Sequence, residues 1–338
     1  MTTIPNRERS LDIARAISVL YIVAFWHVEY YMPKGTFIKT EKNEVLATIT
    51  ISVLGVFTFI SGYFLKKYDL TKSSQIKQFY INRLKRFYIL YLISLVTLYL
   101  TGNNKWITSK SVLIKSMAGG ISILFPPPPS TLWYFCMLMI FYLITPILLH
   151  YQNPIKRTVI SVATVILFGI LSKTTGMSNL FHLYLLIYII GLNFDEKNYN
   201  KLIKHKYKIA IISVFSFLIF TQAYNISHAI FKIINSLIFM LVLLSISQIF
   251  ANIRSSKILN FFEYIGYASM CAYLFHRQIY DITEIIFHKS NITLTPLVMY
   301  ILVIPSVFIT STYIQKIYDY ILKRIQLRES SKYTNQTR

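Results

Sequence analysis

Repeated runs of roughly 20 apolar residues constrain this chain more than any other feature. A bilayer's hydrocarbon core is about 30 Å thick and takes about 20 apolar residues per helical crossing. The 338-residue sequence meets that length again and again. Its mean hydropathy is +0.50 and 14% of its residues are charged, most of them between the apolar runs rather than inside them. A spanning β-barrel would read instead as segments of about 10 residues with alternating polarity, and that pattern is absent. The expected fold class is therefore all-α: a polytopic membrane protein of about ten transmembrane helices. The runs fall at roughly 11–31, 45–65, 84–101, 132–150, 157–172, 179–194, 208–225, 229–251, 260–280 and 296–322. The stretch 281–295 either prolongs the ninth helix or forms a short interfacial one.

A net charge of +22 would suggest nucleic acid if it were spread evenly. Here it alternates by loop. Segments counted as internal carry Arg7 and Arg9, the cluster from Lys66 to Arg86, Lys156 and Arg157, the lysines from Lys197 to Lys208, Arg254 and Lys257, and the basic tail from Lys316 to Arg338. Segments counted as external carry only Lys34, Lys39, Lys42, Lys105, Lys110, Lys115, Lys173 and Lys289. Basic residues favour the cytoplasmic side, which puts both N- and C-termini there and makes membrane lipid, not nucleic acid, the partner of this charge. Arg7 and Arg9 precede an apolar stretch, but with Asp12 and Arg15 inside it and no small-residue cleavage site, it reads as a retained first span. Gly/Ser linkers and internal repeats are missing, so residues 1–338 are expected to form a single membrane domain with no appended soluble domain. In the outer connection 102–131, Gly119-Gly120 and the run Pro126 to Pro129 suggest a stiff loop over the external face. Cys136 and Cys271 lie in apolar spans at a spacing that matches no metal site, and read as packing residues.

Polar residues inside the spans are costly and so mark candidate sites. His27 sits near the outer end of the first span, where a neutral imidazole can accept a proton from a hydroxyl at physiological pH; an interfacial His beside Trp26, Tyr30 and Tyr31 is the plainer alternative. Arg15 lies about 18 Å below it, at about 1.5 Å rise per residue, with Asp12 three residues earlier on the same face as its natural ion-pair partner. In QFYINRLKRFY, residues 78 to 88, Arg83 and Arg86 share one helical face and suit phosphate oxygens, or are simply internal positive charge. Trp133 and Tyr134 open the fourth span as an aromatic belt or a sugar-stacking surface. His276 and Arg277 end the ninth span at a depth comparable to His27.

These blocks occur in a telling order: RSLDIARAISVLYIVAFWH, FTFISGYFL, INRLKRFYILY, STLWYFCMLMIFYLITP, FHLYLLIYIIGLNF and IGYASMCAYLFH. The ordered set resembles the acyltransferase-3 family of integral membrane acyltransferases, from residue 9 to about 320. The resemblance implies a membrane O-acyltransferase moving an acyl group, usually acetyl, from cytoplasmic acyl-CoA to a carbohydrate acceptor, an envelope polysaccharide or its lipid-linked precursor. Acetyl-CoA is then a co-substrate, no cofactor is bound permanently, no metal is required, and the location is a bacterial plasma membrane. It implies that His27 is catalytic and that Arg15, Arg83 and Arg86 hold the acyl-CoA. Trp133, His276 and the Ser61-Gly62 turn would support the acceptor side. The family usually has ten residues between the matching arginine and histidine; this chain has eleven. At about 100° per residue the extra one swings His27 a third of a turn away from Arg15 unless a π-bulge absorbs it. The rival functions are a polysaccharide or lipid-intermediate exporter without acyl chemistry, and a non-catalytic sensor.

Overall fold

The computed structural model describes residues 6–32, 43–102, 105–222, 229–253, 255–290 and 295–336. Of the loop charges that set the expected orientation, Lys34, Lys39, Lys42, Arg254 and Arg338 lie outside the described residues, as do residues 223–225 at the end of the expected seventh span.

All regular structure among the described residues is helical. The elements are α1 (Asn6–Tyr21), α2 (Glu44–Leu65), α3 (Ser73–Arg83), α4 (Ile89–Thr101), α5 (Lys110–Met117), α6 (Ile121–Leu124), α7 (Trp133–Leu149) and α8 (Pro154–Thr175). They continue with α9 (Asn179–Asn193), α10 (Glu196–Lys204), α11 (Lys206–Gln222), α12 (Ala229–Phe250), α13 (Ser256–Lys289), α14 (Pro296–Val298) and α15 (Ile304–Gln336). Among the described residues three π-helical segments interrupt them, at Ile22–Trp26, Leu84–Tyr88 and Met299–Val303. Six helical stretches among the described residues are long and apolar enough to cross a membrane: Arg9–Tyr31, Glu44–Leu65, Ser73–Thr101, Pro154–Thr175, Ile233–Phe250 and Pro296–Ile325. α7 and α9 are apolar but shorter. The stretch after residue 280 prolongs α13 to Lys289. The third predicted span starts earlier than its apolar run, because the polar α3 feeds into α4 through a π turn without a break.

Local signals explain many of the ends. Asn43 caps α2 by accepting from the Val45 and Leu46 amides at 3.0 and 3.2 Å. Asn153 does the same for α8, with Pro154 as its first residue, and Gly176 ends that helix at φ 72°, a left-handed conformation that suits glycine. Inside α2 the hydroxyls of Thr48, Thr50, Ser52, Thr58 and Ser61 bond back to carbonyls four residues earlier, so these polar side chains need no partner from elsewhere.

The centre of the bundle is α1, packed on α13, α12 and α2; α2 also meets α9 and α12, and α13 meets α15 and α4. α8 is peripheral, with Ile155, Val159, Val162, Ile166 and Ile170 exposed along its length. An apolar exterior over an equally apolar core suits a protein solvated by lipid.

Close approach of backbones decides the crossing of α2 and α9. A side chain at Gly62 on α2 would strike the Tyr188 carbonyl of α9, and one at Gly191 on α9 would strike the Phe59 carbonyl of α2. Small residues let helices meet this closely in a membrane. Ser61-Gly62 is thus no turn: the pair lies within α2, and Gly62 is there because α9 needs the space. Gly191→Leu is expected to abolish monodisperse protein in detergent by size-exclusion chromatography, since overpacking commonly costs about 1–3 kcal/mol and here the obstacle is backbone. Gly169→Ala on α8, where an added methyl meets nothing within 4 Å, is expected to leave the elution profile and melting temperature unchanged or slightly improved.

Candidate active site

The C-terminal end of α1 gives way to a different helical geometry where the site begins. From Ile22 to Trp26 the chain forms a π turn, and the His27 amide reaches back five residues to Ile22 O at 3.0 Å. The carbonyl that amide would meet in an α-helix, Val23 O, instead accepts from the Tyr280 hydroxyl of α13 at 2.7 Å. A π turn absorbs one extra residue and leaves the next side chains on the face they would otherwise have lost. Arg15 and His27 accordingly both face α13: the Arg15 guanidinium donates to Gly266 O at 3.2 Å, and His27 meets His276. The π turn takes up the extra residue between them.

His27 Nδ1 and His276 Nε2 lie 2.6 Å apart, with ring planes within 4° of parallel. The backbone settles which nitrogen donates. His276 Nδ1 is 2.8 Å from Tyr273 O and 3.1 Å from Ala272 O, both of which only accept, so in the neutral ring Nδ1 carries the proton. His276 Nε2 is then an acceptor and His27 Nδ1 donates to it. That leaves the lone pair of His27 on Nε2, the nitrogen turned away from His276. Two backbone carbonyls of α13 thus assign the tautomer of a side chain that follows α1, the arrangement a general base needs.

A polar collar surrounds this pair. Arg277, 3% exposed, lies over Trp106 at 4.1 Å and Tyr30 at 4.5 Å and donates to His27 O at 3.4 Å. Asp281, one turn further, accepts from Tyr31 at 2.7 Å and from the Trp106 indole at 2.9 Å. Tyr31 and Trp106 each offer an apolar body to the bundle and a polar edge to the carboxylate, and rings cover the Arg277 guanidinium, whose Nε is buried without a hydrogen-bond partner.

Below the histidines is a cavity of about 430 Å³. Arg15, Lys67, Arg83 and Arg86 line it, opposed by the carboxylates of Asp12 and Asp319. Asp12 is held by Arg15 at 2.9 Å, and Asp319 accepts from Tyr267 at 2.7 Å and Gln315 at 2.9 Å. Arg83 is caged by Tyr68, Phe79, Phe87 and Tyr142, and donates to the Tyr68 hydroxyl at 3.0 Å. Arg86, inside the second π turn, has no carboxylate partner among the described residues. Cations gathered around a partly open cavity can bind an anion that offers several oxygens, such as a phosphate. The lining also includes Tyr134 and Tyr273, and the Tyr273 ring packs against His276 at 6.0 Å, so one residue joins the cavity to the histidine pair.

A protein-family model described as an acyltransferase domain, acyltransferase-3, matches residues 8–316. The chain belongs to the acyltransferase-3 family. It has no significant match among curated proteins or among solved structures. The matched region takes in the histidine pair and all four cations of the cavity, with Asp319 of its lining just beyond the match, so in this acyltransferase both fall under the one family match.

The sequence-predicted residues of this acyltransferase divide into two groups. The structure brings His27 to His276, and gathers Arg15, Arg83, Arg86 and Ser61 around one cavity. Trp133 is elsewhere: it lines a second cavity of about 220 Å³ with Pro126, Pro128 and Phe181, and is not part of the first. Gly62 is a packing residue. Cys136 and Cys271 are buried, unbridged thiols, Cys136 meeting Tyr91 and Cys271 donating to Gln315. Sequence reasoning missed Trp106, Tyr280, Asp281 and Asp319. Asp281 and Asp319 were the findable ones, as carboxylates within or beside apolar segments; Trp106 and Tyr280 resemble any aromatic belt.

Proposed function

We propose that this acyltransferase is an O-acyltransferase of the plasma membrane that moves an acyl group, acetyl foremost, from cytoplasmic acyl-CoA to a hydroxyl of an envelope glycan or its lipid-linked precursor. In this reading the chain crosses the bilayer about ten times with both ends inside, so that α1 and α13 run in the same direction. Their contacts fit that: Arg9 pairs with Glu263 at 3.5 Å at one end, and Tyr31 donates to Asp281 at 2.7 Å at the other.

The observation that carries the reading is the His27–His276 hydrogen bond above a cavity lined by four cationic side chains. The cations take the donor's phosphates, and the thioester arm extends past Tyr273. His27 Nε2 removes the proton of the acceptor hydroxyl as its oxygen attacks the thioester carbonyl carbon. The tetrahedral intermediate collapses with cleavage of the C–S bond, the thiolate leaves, and the proton on His27 passes to it. The products are the ester and CoA with its thiol restored, and His27 is neutral again.

Isotope-labelled acetyl-CoA given to membranes containing the protein and the envelope glycan tests this. Label should enter the glycan as an alkali-labile ester, and CoA should raise the melting temperature of the purified protein. Absence of both would refute the reading. Arg86 gives a finer check, because it lines the cavity without a carboxylate partner among the described residues. Arg86→Gln is expected to raise KM for acetyl-CoA by about 10–100-fold, the loss of one charge-assisted hydrogen bond of about 1.5–3 kcal/mol, with kcat changed by less than about threefold.

A further inference from the structure

We propose that Tyr280 is a positioning residue whose hydroxyl holds the π turn of α1 open and thereby aims His27 at His276. The inference rests on the acyltransferase reading for its activity assay, but not for its structural one. Tyr280 is 1% exposed and lies four residues beyond His276, on the same face of α13. Helical side chains lean towards their N-terminus, so Tyr280 reaches down while the Val23 carbonyl of the parallel α1 points up to meet it at 2.7 Å. The same turn of α13 therefore grips α1 at two points four residues apart: the Val23 carbonyl by Tyr280 and the His27 ring by His276. Rings of Tyr31 and His276, 5.0 and 5.7 Å from that of Tyr280, fix its direction.

A π turn persists only if the carbonyl it frees finds another donor, since an unpaired carbonyl in an apolar interior is costly. Tyr280 is that donor. Without its hydroxyl, the cheapest repair is for the His27 amide to return to Val23 O. That tightens the turn to α geometry and rotates His27 by about 100° away from His276. Removing one residue from the turn should make the clamp unnecessary, because a regular helix then presents His27 in the same place.

The test is steady-state acyl transfer from acetyl-CoA by the full chain with Tyr280→Phe, with Ala24 deleted, and with both changes. Deletion of Phe25 serves if the Ala24 deletion does not accumulate. Tyr280→Phe is expected to lower kcat by about 10²-fold, the cost of a misplaced catalytic group, with KM for acetyl-CoA unchanged within about twofold. In the deleted chain the same substitution should cost less than about twofold. An unchanged kcat in Tyr280→Phe, or an equal loss in both backgrounds, overturns the proposal. NMR of ¹⁵N-histidine-labelled protein reads the histidine hydrogen bond without turnover: its downfield N–H signal should vanish in Tyr280→Phe and persist in the doubly changed chain. If the wild type transfers no acyl group but the signal shows that pattern, the acyltransferase reading fails and the positioning role stands. If the signal is the same in every variant, the positioning role fails.

Discussion

His27→Ala is expected to lower kcat for acyl transfer by about 10²–10⁴-fold, the usual worth of a general base. KM for acetyl-CoA should stay within about threefold, because the ring does not line the cationic cavity. The geometry around Nε2 is the reason. His276 takes the Nδ1 proton of His27 and the backbone of α13 takes that of His276. The only lone pair left on the dyad's outer member is the one that would meet a hydroxyl. Alanine removes it and leaves His276 Nε2 without the donor it had, so some local rearrangement is expected as well. Comparing melting temperatures with and without CoA separates that rearrangement from the chemistry: donor-induced stabilisation should survive in His27→Ala.

His276→Leu should be nearly as damaging, about 10²–10⁴-fold in kcat, although in the proposed mechanism His276 never touches substrate. Leucine fills much of the same space but accepts nothing from His27 Nδ1. The proton is then free to move to Nε2, and that tautomer cannot accept the acceptor's proton. Loss of the partner that fixes a catalytic histidine's tautomer costs about 10⁴-fold in serine proteases, which sets the scale. The two substitutions should not add. If the pair acts as one unit, the double variant should be no slower than His27→Ala alone. A double variant slower by the product of the two losses would mean that His276 acts independently.

The helices were legible because a membrane interior admits few sequence patterns: each expected apolar run holds a helix, with α13 extended to Lys289. Polar short pieces such as α10 were hidden by that same rule, since their sequences read as loops between runs, and of α3 only the stretch from Gln78 read as helical. The eleven-residue interval from Arg15 to His27 left two outcomes open, a swing of His27 away from Arg15 or a π turn that absorbs the extra residue, and Ile22–Trp26 is such a turn. The pairing of His27 with His276 was legible only as equal depth; the 2.6 Å contact depends on α1 lying against α13, which no local pattern encodes. Trp106 illustrates the limit best. It sits outside every apolar run, yet its ring covers Arg277 and its indole N–H meets Asp281, a placement fixed by residues some 175 positions away. Gly62 and Trp133 show the converse, since a motif can be matched while its residues serve packing or a separate cavity.

The most direct test of the central claim is mass spectrometry of the envelope glycan from cells lacking the gene, complemented with wild type or with His27→Ala at equal membrane abundance. The expected result is a base-labile acyl ester that returns with the wild type and not with the variant. An ester restored equally by both would contradict the role of His27, and glycan retained inside the cell with its acylation unchanged would favour an exporter instead.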